Sequence, residues 1–155
     1  SMRLARHRHD VRERFTRILQ ECRPGVLMDK ESRERFGLKK HRIYLMSRDL
    51  PAPTITTLPD DVLHYAEPRI LTVRESARIQ SFPDWFRFRG KFTTGGSRRA
   101  KECPRYTQVG NAVPPYLARA IGLAVTAALE EASQSRKTND CASFGAIQDK
   151  VLAAV

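Results

Sequence analysis

The chain has 155 residues, 41% of them hydrophobic, and its 28 lysines and arginines outnumber 17 aspartates and glutamates for a formal net charge of +11. That length suits one domain, or one domain and a small further piece, and the apolar content excludes wholesale disorder. No unbroken apolar run reaches the roughly 18 residues of a membrane span and there is no signal-peptide pattern, while three cysteines without a CxxC spacing argue against a disulfide framework or a zinc site and fit a reducing cytoplasm.

In chain order, Ser1-Met2 reads as a cloning scar. Asp10 is placed to cap a helix in which Val11, Phe15, Ile18, Leu19 and Cys22 recur at helical spacing, stopped by Pro24-Gly25. Arg6, Arg8, Arg12, Arg14 and Arg17 surround that stripe, either as a solvated face or as phosphate contacts. A short helix is expected from Asp29 to Phe36, ended by Gly37. Residues 41–47 and 54–57 are rich in strand formers, with Pro51 and Pro53 between them, and a third strand is expected near Val62–Tyr65. Thr72 and Glu75 have the capping-box spacing, which opens a helix running through Gln80 and ended by Pro83. Residues 93–104 lack periodicity and read as a mobile basic loop.

From 113 to 131, Pro114 and Pro115 suit a first helical turn, and Leu117, Ala120, Ile121, Ala124, Ala128 and Leu129 mark one face. Ala118, Leu123, Val125 and Ala127 make the other faces apolar as well, and Arg119 is the only charge between Tyr116 and Leu129. A helix apolar nearly all round belongs inside a larger core than the preceding residues can supply. The remaining residues, 133–155, form a tail whose end from Phe144 suits one amphipathic helix. Charge is uneven: net +7 over residues 1–50, +4 over 51–105 and zero over 106–155. A polyanion-facing region followed by a neutral packing segment is one reading of this; a solvated basic surface is the other.

Two stretches carry a resemblance. Arg69-Ile-Leu-Thr-Val-Arg-Glu-Ser-Ala-Arg-Ile-Gln-Ser-Phe-Pro-Asp84 resembles motif IX of the DNA (cytosine-5) methyltransferases, and Tyr106-Thr-Gln-Val-Gly-Asn-Ala-Val-Pro-Pro115 resembles their motif X. Upstream, Pro51-Ala-Pro-Thr-Ile-Thr-Thr57 is similar to the end of the family's target recognition domain. The resemblance spans roughly residues 40–130 and implies methyl transfer from S-adenosylmethionine to carbon 5 of a cytosine flipped out of double-stranded DNA.

Carried over singly, the resemblance places Gln108, Gly110, Asn111 and Ala112 beside the S-adenosylmethionine pocket; the bland alternative is a helix-entry turn with no ligand. Thr54 matches a threonine contacting a phosphate beside the flipped base, with Ile55 in place of leucine, or it is a strand threonine with local bonds. Arg42 lies where the family's recognition loops read bases, and Lys39, Lys40, His41 and Arg48 share that zone. In motif IX the simpler reading has Thr72 and Glu75 capping a helix while Arg69, Arg74 and Arg78 bridge domains. Trp85, Phe86 and Phe88 read as core or interface, and Arg98, Arg99 and Lys101 as a solvated loop.

The family's nucleophile, a cysteine in Pro-Cys-Gln that attacks carbon 6, has no counterpart at Cys22, Cys103 or Cys141, so no catalytic residue is assigned. Glu-Asn-Val and any Gly-x-Gly are also missing from the sequence. The expected architecture is α+β: a small twisted β-sheet recognition domain with short helices over 3–105, then a motif X turn and helix over 106–132 belonging to a catalytic α/β domain outside this chain. The expected partners are duplex DNA and an N-terminal catalytic half, with self-association through the terminal helix and no membrane. A stand-alone, non-enzymatic DNA-binding module derived from a methylase is the alternative, and a generic RNA-binding protein a more distant one.

Overall fold

The computed structural model describes residues 3–93 and 102–152, with side chains described to residue 136. The chain forms two compact units, Ser1–Pro114 and Pro115–Val155. The first opens with α1, His9–Glu21, whose Phe15 and Ile18 are buried on one face. The expected Asp10 cap is displaced. The helix starts two residues earlier, at an Arg8 N-cap with no side-chain cap, and Asp10 instead receives the Arg8 guanidinium at 2.9 Å within the first turn. An acid there also complements the helix dipole. The helix ends at Cys22, and Gly25 follows with a φ of 81°.

Strand pairing is sparse. β1 (Val26–Leu27) pairs antiparallel with β2 (Tyr44–Leu45), and β2 pairs parallel with β3 (Val62–Leu63), so Leu45 faces Val26 on one side and Leu63 on the other. Between β1 and β2 sits the expected short helix, α2, Lys30–Arg35, with Asp29 just outside it as the N-cap, its carboxylate accepting from the Ser32 amide at 2.7 Å. The expected strand over 41–47 contracts to two residues, and 54–57 joins no ladder. Prolines 51 and 53 lack the N–H a ladder needs, and the Thr56 hydroxyl turns to the Asp61 carboxylate at 2.8 Å, across the short 3₁₀ turn Pro59–Asp61. The sheet is mixed and small, and the architecture is α+β.

The capping box over Thr72–Glu75 forms in full and opens α3, Val73–Ile79. That helix ends at Gln80, and Ser81, at φ 61°, turns the chain before Pro83. Residues 106–111, expected as a turn, are helical: α4 spans Arg105–Asn111 and packs on α3, with Val73, Ala77, Tyr106 and Val109 buried. The Tyr106 hydroxyl donates to the Leu71 carbonyl at 2.7 Å, and burial together with the Glu75 charge pushes its pKa up to about 12. Most of the expected 93–104 loop, including Arg98, Arg99 and Lys101, lies outside the described residues.

The second unit is α5, a single helix over Pro115–Leu152. It continues through the segment expected as a separate tail; side chains beyond 136, Cys141 included, lie outside the described residues. By length and composition the described helical stretch within Arg105–Arg136 is long and apolar enough to cross a membrane. Arg119 interrupts the apolar run without offsetting its hydropathy. The core helix of a soluble domain meets the same measure.

Candidate functional site

Motif IX is an anchor. Arg69 is only 8% exposed, and all five of its N–H donors are used. Nη1 and Nη2 each reach a different Glu75 oxygen at 2.8 Å, Nε and Nη2 bond Glu67, and Nη1 also bonds the Ile70 carbonyl. Glu75 closes the capping box by accepting from the Thr72 amide at 2.7 Å. Burial raises the Glu75 pKa, but the hydrogen bonds from Arg69 and Thr72 outweigh it and hold the carboxyl at about 2. Within this chain the motif IX arginines bond to partners of the first unit. Arg74 donates to the Pro83 and Phe86 carbonyls, and Arg78 makes a two-pronged pair with Asp84.

His64 locks the turn beside this anchor. Its Nδ1 accepts from the amides of Ala66 and Glu67, both at 3.1 Å, so the neutral ring must carry its proton on Nε2. Burial, then the Arg69 charge, lowers its pKa below the usual 6.5. A depressed histidine contributes stability that is whole above about pH 6.5 and is lost as pH falls from there through the folded pKa. The Ala66 and Glu67 amides should exchange with solvent much faster at pH 5 than at pH 7 after correction for intrinsic rates. Equal protection at both would contradict the locked turn.

Motif X is seated against two neighbours. Gln80 Nε2 donates to the Val109 carbonyl at 3.2 Å, which ties the end of α3 to α4. A Cβ built on Gly110 would lie 2.4 Å from the Thr56 carbonyl oxygen, so the helix approaches the 56–57 backbone at a distance only glycine allows. A shallow cleft results, lined by residues of 52–55, by Ile79 and Gln80, and by Gly110, Ala112 and Pro114. It brings Thr54, expected at a DNA phosphate, to the same place as Gly110 and Ala112, expected at S-adenosylmethionine. Thr54 is exposed there.

The four motif X residues differ in what they have to offer. The Gln108 amide nitrogen is committed to the carbonyls of Arg89 and Cys103 at 2.9 and 2.8 Å. Gly110 is accounted for by the Thr56 contact. Asn111 is exposed in the last turn of α4, and Ala112 caps it with its amide on the Val109 carbonyl. An exposed carboxamide beside an open cleft fits one edge of a polar ligand, and these residues do not enclose one.

In the basic zone, Lys39, His41, Arg42 and Arg48 are exposed. Arg33 holds their loop by donating to the Lys40 and His41 carbonyls. Lys40 differs: its ammonium is paired with both Asp60 and Asp61. Asp61 is buried and joins Lys40 to the Thr56 hydroxyl, a link across 21 residues. Nothing local in the sequence announces it, since Lys40 is remote and Asp61 looks like an ordinary turn acid. Of the aromatics, Phe82, Phe86 and Phe88 form a ring cluster with centroids about 5 Å apart, while Trp85 is 78% exposed.

The model of the C-5 cytosine-specific DNA methylases matches residues 3–127. The chain belongs to that family. Among curated relatives, the type II methyltransferase M.AplI of Arthrospira platensis is 40% identical over 116 residues, which is 69% of this chain and 30% of that protein. M.XorII of Xanthomonas oryzae is 44% identical over 69 residues, 44% of this chain and 14% of the relative. M.AquIB of a Picosynechococcus strain is 39% identical over 98 residues, covering 62% of this chain and 68% of that protein. The methylase chain thus spans less than a third of the first two of these relatives. No solved structure matches it.

Proposed function

We propose that this methylase chain is the DNA-recognition and C-terminal portion of a DNA cytosine-5 methyltransferase, either a piece of a longer enzyme or one subunit of a split one. It works in the cytoplasm on duplex DNA. The observation that carries the reading is a family match over residues 3–127 in a sequence with no Pro-Cys-Gln, Glu-Asn-Val or Gly-x-Gly. M.AquIB supports the split form, because the alignment covers two-thirds of that protein and it is therefore a chain of this one's size.

In this reading the first unit positions DNA. The exposed Lys39, His41, Arg42 and Arg48 face bases and phosphates, with the Lys40–Asp61 pair holding their loop in place. Thr54 offers its hydroxyl to a phosphate beside the flipped cytosine. Asn111 and the Gly110–Ala112 turn form one edge of the site for S-adenosylmethionine, which when bound supplies the methyl group. The second portion contributes the thiolate and the remaining walls of that site. Residues 116–129 of α5 pack into the second portion's α/β domain, because a lone helical segment that is apolar nearly all round cannot bury its own faces; without that portion it self-associates.

Purified alone and given duplex DNA with S-adenosylmethionine, the chain should transfer no methyl group. Co-expressed with the product of the adjacent upstream coding sequence, it should leave protected cytosines in bisulfite sequencing. Turnover by the chain alone would reject the proposal. Failure of any upstream partner to restore transfer, with DNA binding intact, would favour the stand-alone binding module, which the self-contained core of the first unit also supports.

A further inference from the structure

A second basic cleft lies apart from the 39–54 zone. It has a volume of about 670 Å³, and its charged lining is Arg74, Arg78, Arg87, Arg89 and Arg105 against a single acid, Asp84. Asp84 is already spent on Arg78 through bonds of 2.8 and 2.7 Å. Arg74 is fixed by the carbonyls of Pro83 and Phe86, and the Arg105 guanidinium lies 4.4 Å from the Phe92 ring centroid while its Nε donates to the Gly90 carbonyl. Arg87 and Arg89 are exposed, and among the described residues neither guanidinium has an acidic partner. The segment alternates: Phe86 and Phe88 join the ring cluster on Phe82, which leaves Arg87 and Arg89 to the solvent side.

Five guanidiniums around one neutralised carboxylate repel one another, and although the fold engages Arg74, Arg78 and Arg105, it gives no reason to add Arg87 and Arg89 to the same cleft. Three of them are held and two are free, which is what a polyanion site requires: fixed positive potential plus donors able to adapt. We infer that this cleft is a second DNA contact, gripping the phosphodiester backbone of duplex flanking the target, with Arg87 and Arg89 as the phosphate-binding residues. The inference rests on the DNA-recognition reading above and adds a site to it. Phosphate contacts fix register without reading sequence, so the grip is indifferent to the bases.

Trp85 is the only tryptophan, is highly exposed and directly follows Asp84 of the cleft lining in sequence, so its fluorescence serves as the probe of binding there. The full chain is titrated with a duplex across a range of salt concentrations, alongside Arg87→Ala/Arg89→Ala, Arg87→Lys/Arg89→Lys and Arg42→Ala/Arg48→Ala. The alanine pair should bind every duplex more weakly and lower the slope of log affinity against log salt by about two, and the lysine pair should keep the slope. Unchanged affinity and slope in the alanine pair, with loss only in Arg42→Ala/Arg48→Ala, would overturn the second contact and leave the recognition reading standing. No duplex binding by the unsubstituted chain would sink both. Inorganic phosphate at equal phosphate concentration should not reproduce the fluorescence change; full reproduction would make the site one for free anions and overturn the DNA assignment.

Discussion

Glu75→Gln should destabilise the first unit by about 2–3 kcal/mol, the largest single loss expected from one polar side chain. A neutral amide cannot accept the paired Arg69 donors and the Thr72 amide together as the carboxylate does. Arg69 would stay buried with Glu67 as its remaining acid, and breaking a buried pair by removing one partner costs more than the pair itself is worth. The figure stands below the full cost of a dry ion pair because the Glu75 side chain is 25% exposed and solvent screens it. The substitution also carries a pH signature. A carboxyl held at about 2 contributes stability that is complete above its ordinary value of 4.5 and is lost as pH falls through about 2. Urea unfolding at pH 7 and pH 3 should therefore show a smaller difference in Glu75→Gln than in the unsubstituted chain. Equal acid sensitivity in both would remove Glu75 from the account.

Gly110→Ala should be comparably damaging, although alanine favours helix over glycine by up to about 1 kcal/mol. The added methyl would meet the Thr56 carbonyl oxygen at 2.4 Å, the Thr56 carbonyl carbon at 2.5 Å and the Thr57 nitrogen at 2.7 Å. All three are backbone atoms, so no side-chain rotation relieves the contact. Either α4 lifts from α3 or the 54–57 segment moves, at about 1–3 kcal/mol for overpacking of this kind. Because Thr54 rides on that segment, duplex affinity should fall in the same variant. Gly122→Ala is the control: nothing lies within 4 Å of its added methyl, so it should be neutral or slightly stabilising. Thermal melts of the two variants decide it, and a Gly110→Ala protein as stable as the Gly122→Ala one would contradict the close approach.

Sequence alone settled the features whose cause is local. The Thr72–Glu75 spacing closes a capping box because both bonds lie within three residues, and the order of two long motifs was enough to indicate the family that the match over 3–127 establishes. Tertiary structure decided whatever depends on partners far along the chain. The strand formers at 54–57 make no strand because α4, some fifty residues later, presses Gly110 onto their backbone and Asp61 takes the Thr56 hydroxyl. Lys40 was indistinguishable in sequence from Lys39, yet two turn acids neutralise the one and leave the other exposed. Arg69, Arg74 and Arg78 look alike as motif arginines, and only the fold separates a fully bonded buried anchor from members of a cationic cleft. A charge's role is set by which groups surround it in space, and residue order fixes those neighbours only within a turn or two.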